Sequence, residues 1–290
     1  MARKYSCLTF GIDMQHKMWS ITLDEKLHLA PIGSNPQNVL DIGTGTGIWA
    51  IEFGSYFSAH IQQNTEFSRR MLPLSSCYRN GFISDPTSVV SPSSLLGFWY
   101  SKTRSIPPNC QFEIHDAEDE WLFSSKFDYI HGRTLATCFK DPASVIGKAF
   151  GALTPGGYFE LQDMCLQTSD DGSINGTALL EWQTYVKEAA TQTGVEWTNV
   201  PNYKRWMIEK GFEDVTEVNF RWPSNQWSQN RRERLLGAWT QAQIDGGMLE
   251  SVSTRLFTMK LGWSMEKLTA FLADVRRDTK NSRIEAYSPM

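Results

Sequence analysis

Apolar and polar positions along this chain switch between two periods. Asn38-Val39-Leu40-Asp41-Ile42 is a short apolar run of strand length, and Ile48 to Phe57 is apolar at helical spacing. Ahead of them, Met14 to Leu29 has helical spacing and Pro31 to Pro36 reads as a loop. Further strands are predicted at Cys110–Ile114, Phe127–His131, Tyr158–Gln162 and Val215–Phe220. Helices are predicted from Asp141 to Leu153, from Thr177 to Thr191 and from Tyr203 to Lys210. Three more run from Arg231 to Thr279, broken at Gly246-Gly247 and at Gly262. Strands alternating with helices predict an α/β fold, a mostly parallel sheet with helices on both faces. Residues 58–105 interrupt the pattern. They are rich in Ser, Pro, Asn and Gly, with short candidate strands only at Gly81–Ser84 and Leu95–Tyr100. Either a surface insertion or a retained intron would give that composition.

Length and charge narrow the classes. A chain of 290 residues with 41% hydrophobic positions can bury a sizeable core as one large α/β domain or two small ones. It is read here as a single domain, with residues 1–36 a helical N-terminal cap and 221–290 helical cap elements. The net charge of -4 and the lack of any basic stripe beyond doublets such as Arg231-Arg232 exclude nucleic acid as the expected partner. No stretch approaches the ~20 apolar residues of a membrane helix, and Met1-Ala2-Arg3-Lys4 opens no apolar leader. These features predict a cytoplasmic protein without a membrane partner, the nucleus left open. The 5 cysteines form no C-x-x-C pair, so free thiols and no metal site are expected. Several of the 11 tryptophans fall in the C-terminal helical part, either as core or as the wall of an aromatic pocket.

The string that carries chemistry is Asp41-Ile42-Gly43-Thr44-Gly45-Thr46-Gly47, placed after a strand and before a helix. Glycines there let the backbone turn tightly and approach a nucleotide with no Cβ in the way. The helix beyond offers free N–H groups to a polar or anionic ligand. The spacing is neither the G-x-G-x-x-G of dinucleotide enzymes nor a phosphate loop with its lysine, which disfavours an NAD or nucleotide-sugar enzyme.

Later strings fall in an order that resembles the class I S-adenosylmethionine-dependent methyltransferases. Asp116-Ala117 stands where that class holds the adenine, and Tyr129 to Arg133 ends the strand nearest the transferred methyl. Leu153-Thr154-Pro155-Gly156-Gly157 matches the turn before its fifth strand. The strings from Val39 to Ala50, from Phe112 to Trp121, Ile130-His131-Gly132-Arg133 and Leu261-Gly262-Trp263-Ser264 are similar to the fungal LaeA-like methyltransferases. The likeness covers about residues 15–57 and 106–287. It implies a class I Rossmann-like doubly wound sheet with helical additions at both ends, S-adenosyl-L-methionine as cofactor, and a role in secondary metabolism.

Carried onto this chain, the resemblance places Asp41, Gly43, Thr44, Gly45, Gly47, Asp116 and Ala117 around the cofactor. The acid that accepts the ribose hydroxyls falls on Glu66, with Asp85 as runner-up. A general base is needed only for a protonated acceptor. His131, at a strand end, and His16, in the N-terminal helix, are the candidates. Glu160, Gln162 and Asp163 lie where an acceptor site would be shaped. The Trp-rich C-terminal helices suit an apolar or aromatic small molecule. Two departures stand out. The stretch around Glu66 is poor in strand residues, and the chain stops where the last strand would begin, so that strand is expected to be missing. The stretch around Glu66 favours an alternative, a non-catalytic accessory or regulatory protein that binds cofactor weakly or not at all.

Overall fold

The computed structural model describes residues 2–59, 70–74 and 106–290, with side chains described at 11, 13–57 and 106–290. Glu66, Asp85 and the candidate strands at 81–84 and 95–100 lie outside the described residues. The described chain forms two compact units, one of residues 27–162 with 205–215, the other of residues 1–26 with 163–204 and 216–290.

The first unit is built on a parallel sheet of β1 (Asn38–Ile42), β2 (Arg70–Leu74), β3 (Phe127–Arg133) and β4 (Leu153–Gln162), in the order β2-β1-β3-β4. Strand side chains alternate between faces. On one face Val39 and Tyr129 pack against Trp49, Phe53 and Phe57 of α2 (Ile48–Ala59). On the other, Leu40, Ile42 and Ile130 pack against Val145 and Ala149 of α3 (Pro142–Ala152). Both faces are therefore covered, as the alternation of elements predicts. Asp141 caps α3, its side chain accepting the Ser144 N–H.

Cys110–Ile114, predicted as a strand, carries no ladder with any of the described residues. Cys110 and Phe112 pack into the cluster around Trp49 instead. Pro73 in β2 has no N–H to donate, and among the described residues β2 pairs on one side, with β1.

The second unit holds α1 (Ala2–Thr22), α4 (Ala178–Thr191), α6 (Arg231–Asp245), α7 (Met248–Lys260) and α8 (Met265–Lys280). A short helix, α5 (Tyr203–Lys210), precedes the strand β5 (Arg221–Pro223). Gly247 and Gly262 have positive φ and end the helical runs where the sequence predicts breaks. Leu179, Trp182 and Val186 pack with Leu249, Phe257, Leu268 and Leu272. Tyr185, Phe257, Trp263 and Phe271 meet edge to face in this core, so these aromatics fill it.

The last strand, in question from sequence, is present as β6 (Tyr287–Pro289), antiparallel to β5. Its other edge bonds to the chain after β4, with Cys165 N–H to Pro289 O at 2.8 Å and Thr168 N–H to Tyr287 O at 2.9 Å. Both edges are thus paired, and no open edge is left there. Val215–Phe220, predicted as a strand, stays mostly exposed and irregular, because the partner ladder begins only at Phe220 and Arg221.

Cys110 and Cys165 are free thiols, but Cys138 is disulfide-bonded, which corrects the expectation of free thiols throughout. Pairing depends on proximity in space, and scattered spacings do not encode it.

Candidate active site

β1 ends in the glycine turn. Gly43, Gly45 and Gly47 adopt φ of +68°, +57° and +76°, values that glycine takes without penalty. The Gly47 N–H bonds to Thr44 O at 2.9 Å and closes the turn, and the Ile51 N–H to Gly47 O at 3.0 Å starts α2. A Cβ on Gly47 would stand 2.7 Å from the Phe112 ring, so the turn is also closely packed.

Asp41 and His131 are partners in the β1–β3 register, and both are buried. His131 Nδ1 lies 2.7 Å from Asp41 Oδ1. The imidazole stacks on Trp49 with centroids 3.7 Å apart and an interplanar angle of 6°. Trp49 is held in turn by its Nε1–H to Leu27 O at 2.9 Å. Burial pushes the His131 pKa below its ordinary value and outweighs the attraction of Asp41. The ring is therefore neutral, with Nδ1–H donating to the carboxylate and Nε2 carrying the lone pair. Asp41 Oδ2, Thr44 Oγ1 and His131 Nε2 are all buried without a hydrogen-bond partner among the described residues. Unsatisfied buried polar atoms are costly, and three of them around one glycine turn fit a site that a polar ligand completes.

A pH dependence follows from His131. The unfolded chain takes up its proton near the ordinary value of 6.5, the folded chain only at lower pH. Below 6.5 the unfolded state holds more protons, so stability is full above that pH and falls as pH drops through the window. The slope contributed by one such group approaches about 1.4 kcal/mol per pH unit. Denaturant unfolding at several pH values from neutral downward should show this slope, and a His131→Gln variant should lose that share of it.

Beside this pair, Tyr129 O–H donates to Glu160 Oε2 at 3.1 Å, and Arg133 Nε–H donates to Gln162 Oε1 at 2.7 Å. Burial raises the Tyr129 pKa well above the usual phenol range and lowers Arg133 to about 10. Glu160, read from sequence as shaping an acceptor site, instead receives the N–H groups of Leu29 and Ala30. Gln162 Nε2 donates to Glu160 Oε1 at 2.6 Å and reaches Leu27 O at 3.4 Å. Both side chains thus fasten residues 27–30 to β4, the strand paired with the one that carries His131. Asp163 belongs to the other unit and accepts the Tyr203 O–H at 3.3 Å.

Asp116-Ala117 forms a turn in the same unit as the glycine loop, with Ala117 fully buried beside Leu40 and Ile42. His16 is buried on α1, in the other unit. The structure therefore brings Asp41, His131 and the glycine turn together directly. Sequence reading missed Trp49, whose signal was an aromatic residue in the first turn after the glycines.

Residues 14–217 match the methyltransferase domain family, and the chain belongs to that family. Several of its relatives come from fungi. The protein named "Probable methyltransferase tdiE" of Emericella nidulans is 29% identical, covering 97% of this chain and 79% of its own. Methyltransferase cpsF of Aspergillus campestris is 29% identical, covering 95% of this chain and 90% of its own. The secondary metabolism regulator laeA of Emericella nidulans is 25% identical, covering 96% of this chain and 67% of its own. These likenesses bear out the resemblance read from the sequence. A solved structure of a proposed sarcosine dimethylglycine methyltransferase from Galdieria sulphuraria shares the fold, with a TM-score of 0.50 at 13% identity over 95% of this chain and 83% of its own. Among the described residues, no helix is long and apolar enough to cross a membrane.

Proposed function

We propose that this protein transfers a methyl group from S-adenosylmethionine to a small apolar or aromatic acceptor in fungal secondary metabolism. The observation that carries the reading is the turn of positive-φ glycines beside Asp41 Oδ2 and Thr44 Oγ1, which are buried and unpaired among the described residues, in a chain of the methyltransferase domain family. Fungal relatives, a secondary metabolism regulator among them, support the setting.

In this reading Gly43, Gly45 and Gly47 let the backbone approach the donor, Asp41 and Thr44 supply polar atoms, and Asp116-Ala117 meets the adenine. Glu66 is the residue we assign to the ribose hydroxyls. The donor supplies a methyl already activated on a sulfonium, so the acceptor's lone pair forms the new bond as the carbon–sulfur bond breaks onto sulfur. What remains for the protein is alignment and the exclusion of water. For a hydroxyl or acidic-carbon acceptor, His131 takes the proton at Nε2, its tautomer fixed by Asp41. His16 is the second candidate for that role.

The likeness to a regulator favours a second reading, a regulatory protein with weak cofactor binding. Calorimetric titration of the purified protein with S-adenosylmethionine separates the two. Micromolar binding is expected, and no heat from a demonstrably folded protein would overturn the enzyme reading.

A further inference from the structure

We infer that Glu118 is a positioning residue for recognition of the donor's base, acting through the Asp116-Ala117 turn. The inference rests on that turn meeting adenine. Asp119 N–H to Asp116 O at 3.0 Å closes the turn, and Glu118 N–H donates to Asp116 Oδ1 at 3.0 Å. That second bond fixes the rotamer of the Asp116 carboxylate.

Glu118 then ties the turn to a distant element. Its Oε1 accepts the N–H of Lys140 at 2.9 Å and of Asp141 at 2.8 Å, and Asp141 is the cap of α3. From α3 itself, Lys148 Nζ donates back to Glu118 O at 2.6 Å. Trp121 Nε1–H holds Ala117 O at 3.0 Å. Helix α3 is seated on the sheet by Val145, Ile146 and Ala149, all buried. The rigidity of the sheet therefore reaches Asp116 through the Glu118 side chain and main chain.

A carboxylate that discriminates one base edge from another must be held to roughly half an ångström. Glu118 is half-buried and spends one oxygen on two backbone donors, and those bonds hold the turn still. Among the described residues only Oε1 takes part, so a glutamine oxygen in its place suffices and the negative charge is not required.

The test titrates S-adenosylhomocysteine and S-inosylhomocysteine, in which a keto oxygen replaces the adenine amine, into wild type, Glu118→Ala and Glu118→Gln. Wild type should prefer the adenine ligand by about tenfold or more. The preference should fall to within about threefold in Glu118→Ala and survive in Glu118→Gln. Should Glu118→Ala fail to fold, Lys148→Met removes another tether and should reduce the same preference several-fold. An undiminished preference in whichever of these variants folds overturns the inference. So does a Glu118→Ala protein weakened equally for both ligands, which would mark a purely structural role, or a Glu118→Gln protein as impaired as the alanine. A wild type without preference for adenine overturns the reading of Asp116 itself, and the inference with it.

Discussion

Replacing Gly45 by arginine is expected to weaken S-adenosylmethionine binding at least about a hundredfold, or about 2.7 kcal/mol, while the fold survives. Gly45 has a φ of +57°, where an L side chain costs roughly 1–2 kcal/mol. The remainder comes from a bulky side chain where the backbone must approach the ligand. Gly47→Ala makes the informative comparison. Its Cβ would meet the Phe112 ring at 2.7 Å, and Phe112 packs on the cluster of Val39, Trp49 and Tyr129. That variant should lose stability and binding together, whereas Gly45→Arg should lose chiefly binding. Calorimetry with thermal melts on both proteins checks the pair. Gly45→Arg binding within a few-fold of wild type would show that the donor sits elsewhere.

Much of the fold was legible because punctuation and period agree. β1 falls on the predicted residues 38–42, and the three C-terminal helices break at Gly246-Gly247 and Gly262 as read. The predicted helix from Met14 to Leu29 stops at Thr22 instead. Asp24 and Glu25 adopt left-handed backbone with φ of +53° and +61°, and no glycine or proline announces it. Among the described residues, Cys110–Ile114 and Val215–Asn219 have strand composition without strand partners. A ladder is a property of two segments, and a single-segment pattern cannot show whether the second is available.

The site was legible in the same uneven way. The glycine turn follows from sequence spacing because its chemistry is backbone chemistry. The pairing of Asp41 with His131 does not, since it depends on the register between strands separated by most of the first unit. Once β1 and β3 are aligned, both residues fall at the same level and on the same face. Glu160 looked like an acceptor-site acid by position, yet its lone pairs are occupied by residues 29 and 30, a contact no local pattern could reveal. Glu118 was overlooked for the opposite reason, as one acid within a run of acids whose neighbours gave no cause to single it out.

Gly237→Ala should be the most destabilising single-methyl change in the second unit, by about 3 kcal/mol or more. Alanine is intrinsically favoured over glycine inside a helix by about 1 kcal/mol, so propensity alone predicts the opposite sign. The packing reverses it. A Cβ on Gly237 would stand 1.9 Å from Asn225 O and 2.5 Å from its carbonyl carbon. Neither side has room to yield. Asn225 is buried, and its Nδ2 donates to Asn281 O at 3.2 Å. Adjacent Ser224 donates its N–H to Ala286 O at 2.9 Å and accepts Gln241 Nε2 at 2.8 Å. Trp227 Nε1–H is fixed on Ala286 O at 2.9 Å. Helix α6 is anchored meanwhile by the buried Leu236, Thr240 and Ile244. Gly151 near the end of α3 is the control, because nothing lies within 4 Å of its added Cβ. There the same change should stabilise by roughly 0.4–1 kcal/mol. Denaturant unfolding of the two variants should therefore move in opposite directions, and a Gly237→Ala protein as stable as wild type would mean that α6 does not press on the 224–228 segment in solution.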